Sequence, residues 1–257
     1  MSDLRLEIDG PVASLVIDRS ARRNAVTQAM WDSMPGLVAE AEATDGVRVL
    51  TIQSSTEGIF SAGADIGEYR DHIGDVAWGI DNQERLSRGT LALRESSLPV
   101  IAAVDGPAFG AGAGLVVSCD IRLATRRSSF AITPAKLGMV YPFPDAAALV
   151  DVVGAAAARG ILLTGRTLDS AEAHRVGLID EVVDDSALDD AVARWSQLLI
   201  ANSPTSIRLM KKSLAIAATG QRADDDVTRG FVREALEGGD YAEGASAFLE
   251  RRDPKFD

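Results

Sequence analysis

Residues 99–125 read PVIAAVDGPAFGAGAGLVVSCDIRLAT, and the fold class is expected to follow from this stretch. The opening PVIAAVD is a short apolar run, which is typical of a buried β-strand. The glycine-spaced run Gly106–Gly114 then leads into an apolar helix that we expect to end near Asp120, and Ile121–Thr125 predicts another short strand. A strand, a helix and a strand in this order favour parallel strand pairing with the helix packed on the sheet.

The sequence before this stretch also alternates between strand and helix patterns. Apolar alternation and branched residues predict strands at Leu4–Asp9, Val12–Asp18 and Val47–Gln53, and helices are predicted at Thr27–Ala43 and Gln83–Glu95. Thr27 is suited to cap the first of these helices. Pro35 and Gly36 lie in the middle of the same helix, where they predict a break or a kink.

The sequence after this stretch is mostly helical. Ser129–Ile132 and Ile179–Val183 predict short strands, and the pattern from Asp145 onward is otherwise helical. The chain is therefore predicted to be an α/β protein with a helical appendage. We divide it into a core at residues 1–200 and a helical C-terminal region at residues 201–257.

Composition narrows the class of function. The 257 residues are 46% apolar and 25% charged, as in an ordinary soluble globular protein. A net charge of −12 argues against nucleic-acid and anionic-membrane partners, which require a broad basic surface. The start MSDLRLEIDG lacks the cationic and apolar segments of an export signal, and we expect no apolar run long enough to cross a bilayer. The single cysteine, Cys119, suits a reducing compartment, so the cytoplasm is expected.

Two glycine-containing segments are candidates for backbone chemistry. Phe60–Ile66 follows a predicted strand and can open a helix near Asp65, and Gly110–Gly114 also lies between a strand and a helix. Small side chains there let a ligand approach the backbone, and the first amides of a helix have no internal acceptor. Such N–H groups can stabilise a carbonyl oxygen that gains negative charge. The alternative is that these glycines only permit tight helix packing.

Several longer motifs resemble the enoyl-CoA hydratase/isomerase (crotonase) superfamily, and in order they cover nearly the whole chain. They are ARRNAVTQAM, FSAGADIGEY, PVIAAVDGPAFGAGAGLVVSCDIRLAT, SSFAITPAKLGMVYP, LLTGRTLDSAEAHRVGLIDEVV and YAEGASAFLERRDPKF. The resemblance implies a spiral of ββα units with a helical C-terminal trimerisation region. It also implies a homotrimer or a dimer of trimers and an acyl-CoA thioester as substrate, with no other cofactor and no metal.

The same resemblance implies which residues form the site. The backbone N–H groups of Ala64 and Ala111 would form the oxyanion hole. The groups expected near CoA are Arg22, Arg23, the backbone at Ala62, Gly63, Asp65, Ile66 and Gly110, and Lys255 or Phe256 from a neighbouring subunit. The basic clusters that contain Arg22, Arg23 and Lys255 can equally be solvated charged surface.

Two carboxylates that hydration of an enoyl thioester requires are missing at their usual places. The two glutamates of the family map onto Gly114 and Pro134 in this sequence. Asp145 is the nearest acid that could replace them, and the alternative is that it caps a helix at Ala146–Val153. A well-placed acid or base contributes roughly 10²–10⁴ in rate, so a standard hydratase is not expected.

Tyr141 is the remaining polar side chain of interest. The stretch TPAKLGMVY, with the FSAG loop and the AFLERR tail, is similar to methylmalonyl-CoA decarboxylase, in which a tyrosine at this spacing contributes to the site. This sequence departs from that branch at Ala64, where a histidine is expected, and at Gly114, where an acid is common. The alternative for Tyr141 is a buried aromatic whose hydroxyl has an ordinary partner.

These observations favour an acyl-CoA enzyme that stabilises a thioester enolate, with decarboxylase-like lyase chemistry that uses Tyr141. One alternative is a hydratase or a double-bond isomerase that uses a displaced acid such as Asp145. Another is a non-catalytic acyl-CoA-binding protein that has kept the backbone donors and lost the acids.

Overall fold

A six-stranded sheet and a three-stranded sheet form the centre of the computed structural model, which describes residues 3–256. The strands are β1 Leu4–Asp9, β2 Val12–Ile17, β3 Val49–Ser54, β4 Val100–Val104, β5 Pro107–Phe109, β6 Ile121–Thr125, β7 Ser129–Ala131, β8 Leu168–Asp169 and β9 Glu181–Val183. The large sheet has the order β1-β2-β3-β4-β6-β9; β1 pairs antiparallel with β2, and the other neighbours pair parallel. The small sheet has the order β5-β7-β8.

Helices surround these sheets and dominate the second half of the chain. They are α1 Gln28–Ala43, α2 Ile66–Tyr69, α3 Val76–Glu95, α4 Ala111–Val117, α5 Phe143–Thr164, α6 Ser170–Arg175, α7 Leu188–Ile200, α8 Pro204–Ala218, α9 Asp226–Glu237 and α10 Gly239–Glu250. Short 3₁₀ helices lie at Ser20–Arg22, Arg70–His72 and Pro134–Leu137. The prediction of an α/β fold with a helical C-terminal region is confirmed, and the alternation is consistent with a spiral of ββα units.

The parallel strands are apolar because both of their faces are covered. Every residue of β4 is buried, and β3 is buried from Val49 to Ile52. The β1–β2 hairpin turns at Gly10, whose φ of 54° suits glycine. The strands predicted in this half of the chain are therefore confirmed, with boundaries that differ by one or two residues.

Helix α1 contradicts the predicted break at Pro35 and Gly36. It begins after Thr27, whose side chain accepts a hydrogen bond from Met30 N–H, and the helix continues through Pro35 to Ala43. Met30, Trp31, Met34, Val38 and Ala41 from this helix are buried. A proline inside a helix costs ~3 kcal/mol, and burial of large apolar side chains, each worth roughly 1.5–3 kcal/mol, outweighs that cost.

Helix α4 carries the glycine-rich run into the core. All seven of its residues are buried. A β-carbon on Gly112 would lie 2.8 Å from Cβ of Ser61, so only glycine lets this helix approach the loop of residues 60–66 so closely. The sequence pattern of small residues therefore has a packing role, and the same packing brings the two candidate segments together.

Helix α5 corrects two predictions. It begins at Phe143, so Asp145 is its third residue and not its N-cap, and the Asp145 side chain points into the interior. By length and composition alone α5 could cross a membrane, so the expectation that no apolar run is long enough was wrong. The backbone at Gly154 is non-helical inside this span, with φ 74° and ψ 158°.

The C-terminal helices α8, α9 and α10 follow one another and contact each other in sequence order. They carry many exposed apolar side chains, among them Leu214, Val232, Leu236, Phe248 and Leu249. The division into residues 1–200 and 201–257 stays a prediction, and its outermost residues 1, 2 and 257 lie outside the described part of the chain.

Candidate active site

The loop of residues 60–66 and the start of α4 lie against each other. Ser61 N–H donates to the Pro107 carbonyl at 3.0 Å, and Phe109 N–H donates to the Ser61 carbonyl at 2.9 Å. Gly63 has a φ of 101°, and a β-carbon on it would stand 2.8 Å from the Phe109 oxygen and 3.4 Å from the Ala111 nitrogen. Glycine at position 63 therefore brings this loop next to the first amide of α4.

Ala64 and Ala111 each present an N–H group that donates to no other residue within residues 3–256. Val26 bonds to the carbonyl of Gly63 and to the N–H of Asp65, so the N–H of Ala64 between them faces the other way. Ala111 is the first residue of α4, where the amide has no acceptor inside the helix. Both residues line the same pocket, in which the two donors suit an oxygen that gains negative charge.

This pocket has a volume of about 190 Å³. Its fifteen lining residues are Ala62, Gly63, Ala64, Ile66, Tyr69, Gln83, Leu86, Gly110, Ala111, Thr133, Pro134, Leu137, Met139, Tyr141 and Pro142. The only ionisable side chains among these fifteen are two phenols, so none of the lining residues within 3–256 carries a carboxylate, imidazole, amine or guanidinium. Seven of the predicted site residues are thus brought together: Ala62, Gly63, Ala64, Ile66, Gly110, Ala111 and Tyr141.

Tyr141 occupies the space next to Gly114 in α4. A β-carbon on Gly114 would stand 3.2 Å from the Tyr141 hydroxyl. That hydroxyl is buried and has no hydrogen-bond partner among the described residues. Burial raises the pKa of the phenol, and the charge of Asp145 raises it further while Arg94 opposes the rise. The hydroxyl is therefore protonated at neutral pH and can donate.

Asp145 lies behind Tyr141 and is 1% exposed. Its Oδ1 accepts a hydrogen bond from Thr90 Oγ1 at 2.8 Å and lies 3.3 Å from Nη1 of Arg94. Its Oδ2 has no partner among the described residues. Burial raises the pKa of this carboxyl, and the Thr90 hydrogen bond and the Arg94 charge only partly offset that effect. Asp145 is not itself a lining residue of the pocket.

The two positions at which the resemblance leads us to expect glutamates hold no acid. Gly114 is buried in α4, and Pro134 begins the 3₁₀ helix Pro134–Leu137 and lines the pocket. The site therefore contains a backbone cradle, formed by the N–H groups of Ala64 and Ala111, and the buried phenol of Tyr141. The carboxyl of Asp145 lies outside the lining of the pocket.

Arg22 and Arg23 are exposed beside the loop of residues 60–66. Ala62 N–H donates to the Arg23 carbonyl at 2.9 Å, which holds the two segments together. Asp65 caps α2 by accepting from Gly67 N–H, and it forms an ion pair with Arg19 at 2.7 Å. Partial burial raises the pKa of Asp65, but the hydrogen bonds from Arg19 and Gly67 outweigh it and leave that pKa below its usual value.

Lys255 and Phe256 belong to a different part of this protomer. Lys255 N–H donates to Glu243 Oε1 at 2.7 Å, and the Phe256 ring packs near Gly244 of α10. Neither residue lines the pocket of its own chain. Their predicted contact with CoA bound to a neighbouring subunit stays a prediction.

Sequence reasoning missed several residues of α3 and the segment before it. Gln83 and Leu86 line the pocket, and Thr90 and Arg94 hold Asp145. Gln83, Leu86, Thr90 and Arg94 have the spacing of one helix face, and Thr90 between Leu86 and Leu93 in the predicted helix was the available signal. Tyr69 also lines the pocket, and its hydroxyl accepts a hydrogen bond from Asn82 Nδ2 at 2.7 Å.

A much larger open groove of about 1230 Å³ adjoins the pocket and shares Gln83 and Met139 with it. It runs between α3 and the segment before α5, and its apolar lining includes Val76, Ile80 and Val140, which are more than half exposed. The apolar chain of a ligand too long for the small pocket has room to continue into this groove.

The two histidines take no part in the pocket. His72 stacks on Trp78 with ring centres 4.5 Å apart, and His174 Nδ1 lies 3.0 Å from the Ile179 carbonyl. Cys119 is buried, and burial raises the pKa of its thiol. Across residues 3–256, no group of three or more histidine, cysteine, aspartate or glutamate side chains is placed to hold a metal ion.

The chain is similar to a known protein family over nearly its whole length. The enoyl-CoA hydratase/isomerase family model matches residues 7–257. The chain is 31% identical to the 1,2-epoxyphenylacetyl-CoA isomerase of Escherichia coli, over 97% of this chain and 96% of that protein. It is 30% identical to the short-chain-enoyl-CoA hydratase of Clostridium acetobutylicum, over 98% of this chain and 96% of that protein.

A solved structure shares the fold closely. The enoyl-CoA hydratase/carnithine racemase from Magnetospirillum magneticum superposes with a TM-score of 0.94 at 30% identity, covering 100% of this chain and 96% of that one. The names of these proteins include hydratases and isomerases, and the similarity to methylmalonyl-CoA decarboxylase stays an expectation from local motifs. The chain belongs to the enoyl-CoA hydratase/isomerase family of acyl-CoA enzymes.

Proposed function

We propose that this enzyme decarboxylates a 2-carboxyacyl-CoA, such as a malonyl-type thioester, through an enolate. The observation that carries the proposal is the lining of the pocket, whose described residues include no carboxylate or imidazole able to remove an α-proton. Loss of CO₂ makes the enolate without any base, because the electrons of the breaking C–C bond move into the thioester. A site with strong oxyanion donors and no base is suited to this step.

The proposed steps use groups on the pocket wall. The thioester oxygen accepts hydrogen bonds from the N–H groups of Ala64 and Ala111, and the C–C bond to the carboxylate breaks to release CO₂. The Tyr141 hydroxyl then gives its proton to the α-carbon, which completes the acyl-CoA product. The absence of a cation from the described lining supports the first step, because a poorly solvated carboxylate loses CO₂ more readily.

A hydratase or isomerase is the second candidate. It is supported by the names of the two relatives, which are a hydratase and an isomerase. In this case Asp145 would have to act through Tyr141 or move into the pocket, since it lies outside the lining now. A third candidate, an acyl-CoA-binding protein without activity, would keep the two amide donors for binding alone.

One set of assays separates these candidates. The purified protein is incubated with malonyl-CoA, methylmalonyl-CoA, crotonyl-CoA and a 3-enoyl-CoA, and CO₂ release and thioester products are measured beside binding. Decarboxylation at an enzymatic rate, lost in Tyr141→Phe, is the expected result. Turnover of crotonyl-CoA or of the 3-enoyl-CoA without CO₂ release would overturn the proposal in favour of the second candidate, and binding without any turnover would favour the third.

The proposal includes a homotrimer, or a dimer of trimers, located in the cytoplasm, with no cofactor other than the CoA thioester. It is supported by the exposed apolar side chains of the C-terminal helices, since Phe248 is 83% and Leu249 82% exposed in the single chain. Light scattering of the purified protein measures the mass directly. A monomer at assay concentration would contradict this part of the proposal.

A further inference from the structure

Decarboxylation consumes one proton for each CO₂ released, because the α-carbon gains a hydrogen. A bound thioester would fill the pocket, so solvent cannot easily return a proton to Tyr141 from that side. We propose that Asp145 and Arg94 form a proton-supply route that reloads Tyr141 from behind, from a cleft between α3 and α8. This inference rests on the proposed function.

Three unpartnered polar atoms lie along this route. Among the described residues, the Tyr141 hydroxyl, Oδ2 of Asp145 and Nη2 of Arg94 are buried without a hydrogen-bond partner. The Thr90 methyl group and the Tyr141 hydroxyl both lie within 4.0 Å of the point where a β-carbon on Gly114 would stand. Thr90 also donates to Asp145, so Thr90 links the carboxyl to the space beside Gly114 that the phenol occupies, and the charge of Asp145 acts on the phenol. Buried polar groups of this kind are normally satisfied by a shared water, which can pass a proton.

Arg94 connects the buried carboxyl to the outside. Its Nη1 lies 3.3 Å from Asp145 Oδ1 and donates to the Pro144 carbonyl at 3.0 Å. The same side chain, 19% exposed, lines a cleft of about 410 Å³ between α3 and α8. Lys211 and Lys212 of α8 line this cleft as well. The route from the pocket through Tyr141, Asp145 and Arg94 to the cleft therefore crosses the protein from one surface opening to another.

The proton balance of the route is simple. Tyr141 loses its proton to the α-carbon and regains one from the carboxyl of Asp145, through a bound water. The resulting Asp145 carboxylate is stabilised by Arg94 and Thr90 until it takes a proton from the cleft. Because burial raises the pKa of Asp145, the carboxyl can hold a proton closer to neutral pH than an exposed aspartate can.

Few charged groups can influence Asp145. Arg94 faces it from α3, and Tyr141 faces it from the segment before α5. Helix α4, which packs on α5, contains no ionisable residue. Lys136 of the 3₁₀ helix lies against Gly165, beyond the far end of α5. Changes in the pH profile on substitution of Arg94 or Asp145 can therefore be assigned to this pair.

The first test is the pH dependence of kcat for the decarboxylation. We expect wild-type kcat to fall as pH rises through the pKa of Asp145, because the protonated carboxyl is the donor. Asp145→Asn should lower kcat by about 10- to 100-fold with KM little changed, and should abolish this fall. Arg94→Gln should move the fall to higher pH, because loss of the guanidinium raises the pKa of Asp145 further. Asp151→Asn, exposed on the same helix, is the matched control.

The second test separates a chemical role from a structural one. In Asp145→Ala, added formate should restore at least a tenth of the lost activity, because formate can replace the missing carboxyl. Tyr141→Phe should not respond to formate. A wild-type-like pH profile in Asp145→Asn, or no response of Asp145→Ala to formate while its thermal unfolding matches the wild type, would overturn the route.

The third test does not depend on decarboxylation. The protonated carboxyl of Asp145 is followed by its C=O stretch in infrared difference spectra, wild type minus Asp145→Asn, as pH is raised in the protein without substrate. We expect this band to persist to higher pH than for an exposed aspartate, and to persist further still in Arg94→Gln, whether or not a 2-carboxyacyl thioester is a substrate. Loss of the band within the pH range of an exposed aspartate would overturn the route.

Discussion

The hydroxyl of Tyr141 occupies the space that a side chain at position 114 would need, since a β-carbon on Gly114 would stand only 3.2 Å from that oxygen. Position 114 is where an acid is expected from the resemblance to the family, and in this chain a phenol from a distant segment fills the gap. The two features are linked, because a side chain at position 114 would press on the hydroxyl in its present position. Under the proposed function, the side chain that acts at the site comes from the segment before α5 and not from α4.

Gly114→Ala should lower kcat while leaving stability within about 1 kcal/mol of wild type. Alanine improves helix propensity by about 1 kcal/mol, which offsets the contact with the phenol. The hydroxyl must shift by a few tenths of an ångström, and we expect roughly a tenfold loss of kcat, since a 1 Å error costs about 10²-fold. Steady-state kinetics and thermal unfolding measure both effects, and Gly36→Ala, on an open face of α1, is the control. The contact itself is tested by thermal unfolding in the Tyr141→Phe background, where the hydroxyl is absent and the alanine should give its full gain in helix propensity of about 1 kcal/mol. An equal effect of the alanine on stability in both backgrounds would show that the contact is not the cause.

Ala111→Pro should remove one oxyanion donor and leave the fold intact. Proline is favoured at the first position of a helix, and Ala111 holds that position in α4 with an N–H that bonds to no described residue. Loss of one such donor typically costs about 10²–10³ in kcat. The matched control is Asp226→Pro, which also places proline at the first position of a helix, α9, far from the pocket. Full activity in Ala111→Pro, with the protein folded, would rule out this amide as an oxyanion donor.

The two segments that carry the amide donors could be predicted from sequence because small residues between a strand and a helix are a local pattern, whereas the choice of Ala64 and Ala111 came from the resemblance to the family. The N–H of Ala111 is free because it begins a helix, and the N–H of Ala64 is free because its neighbours pair with Val26. The parallel strands were predictable for a similar reason, since short branched runs such as Val100–Val104 suit only a sheet covered on both faces.

The carboxyl behind the phenol could not be predicted because it depends on contacts between distant segments. Asp145 is held by Thr90, 55 residues earlier in the chain, and no local pattern reports such a pairing. Local reasoning favoured a helix cap at Asp145, because aspartate is common there, and the helix instead begins at Phe143. The continuity of α1 through Pro35 could not be predicted for the same reason, since the apolar face that holds this helix together packs against distant parts of the chain.

The C-terminal tail should lose stability in acid through Glu243. This carboxylate accepts two hydrogen bonds from Arg252 and one from Lys255 N–H, and these bonds lower its pKa from 4.5 to about 2. A lowered pKa in the folded state stabilises the fold above pH 4.5, and this contribution is lost as pH falls from 4.5 toward 2. The urea midpoint of wild type minus that of Glu243→Gln should therefore be constant above pH 4.5 and shrink below it. The control is Glu237→Gln, which changes an exposed glutamate without an ion pair in residues 3–256. A difference in urea midpoint between wild type and Glu243→Gln that grows in acid would contradict the assignment.

The groove beside the pocket should decide which acyl groups the enzyme accepts. Gly79 of α3 lines this groove, and a β-carbon there would meet nothing within 4 Å, so a larger side chain can enter the groove without disturbing the fold. A short acyl group fits the pocket of about 190 Å³, whereas a longer one has to continue past Met139 into the groove. Gly79→Leu should therefore raise KM for long-chain thioesters about tenfold, because part of the buried apolar surface is lost, and should leave KM for short-chain thioesters unchanged. Gly36→Leu adds the same side chain to an open face of α1 and controls for the change in helix propensity. Equal effects of Gly79→Leu on short and long thioesters would show that the acyl chain does not use the groove.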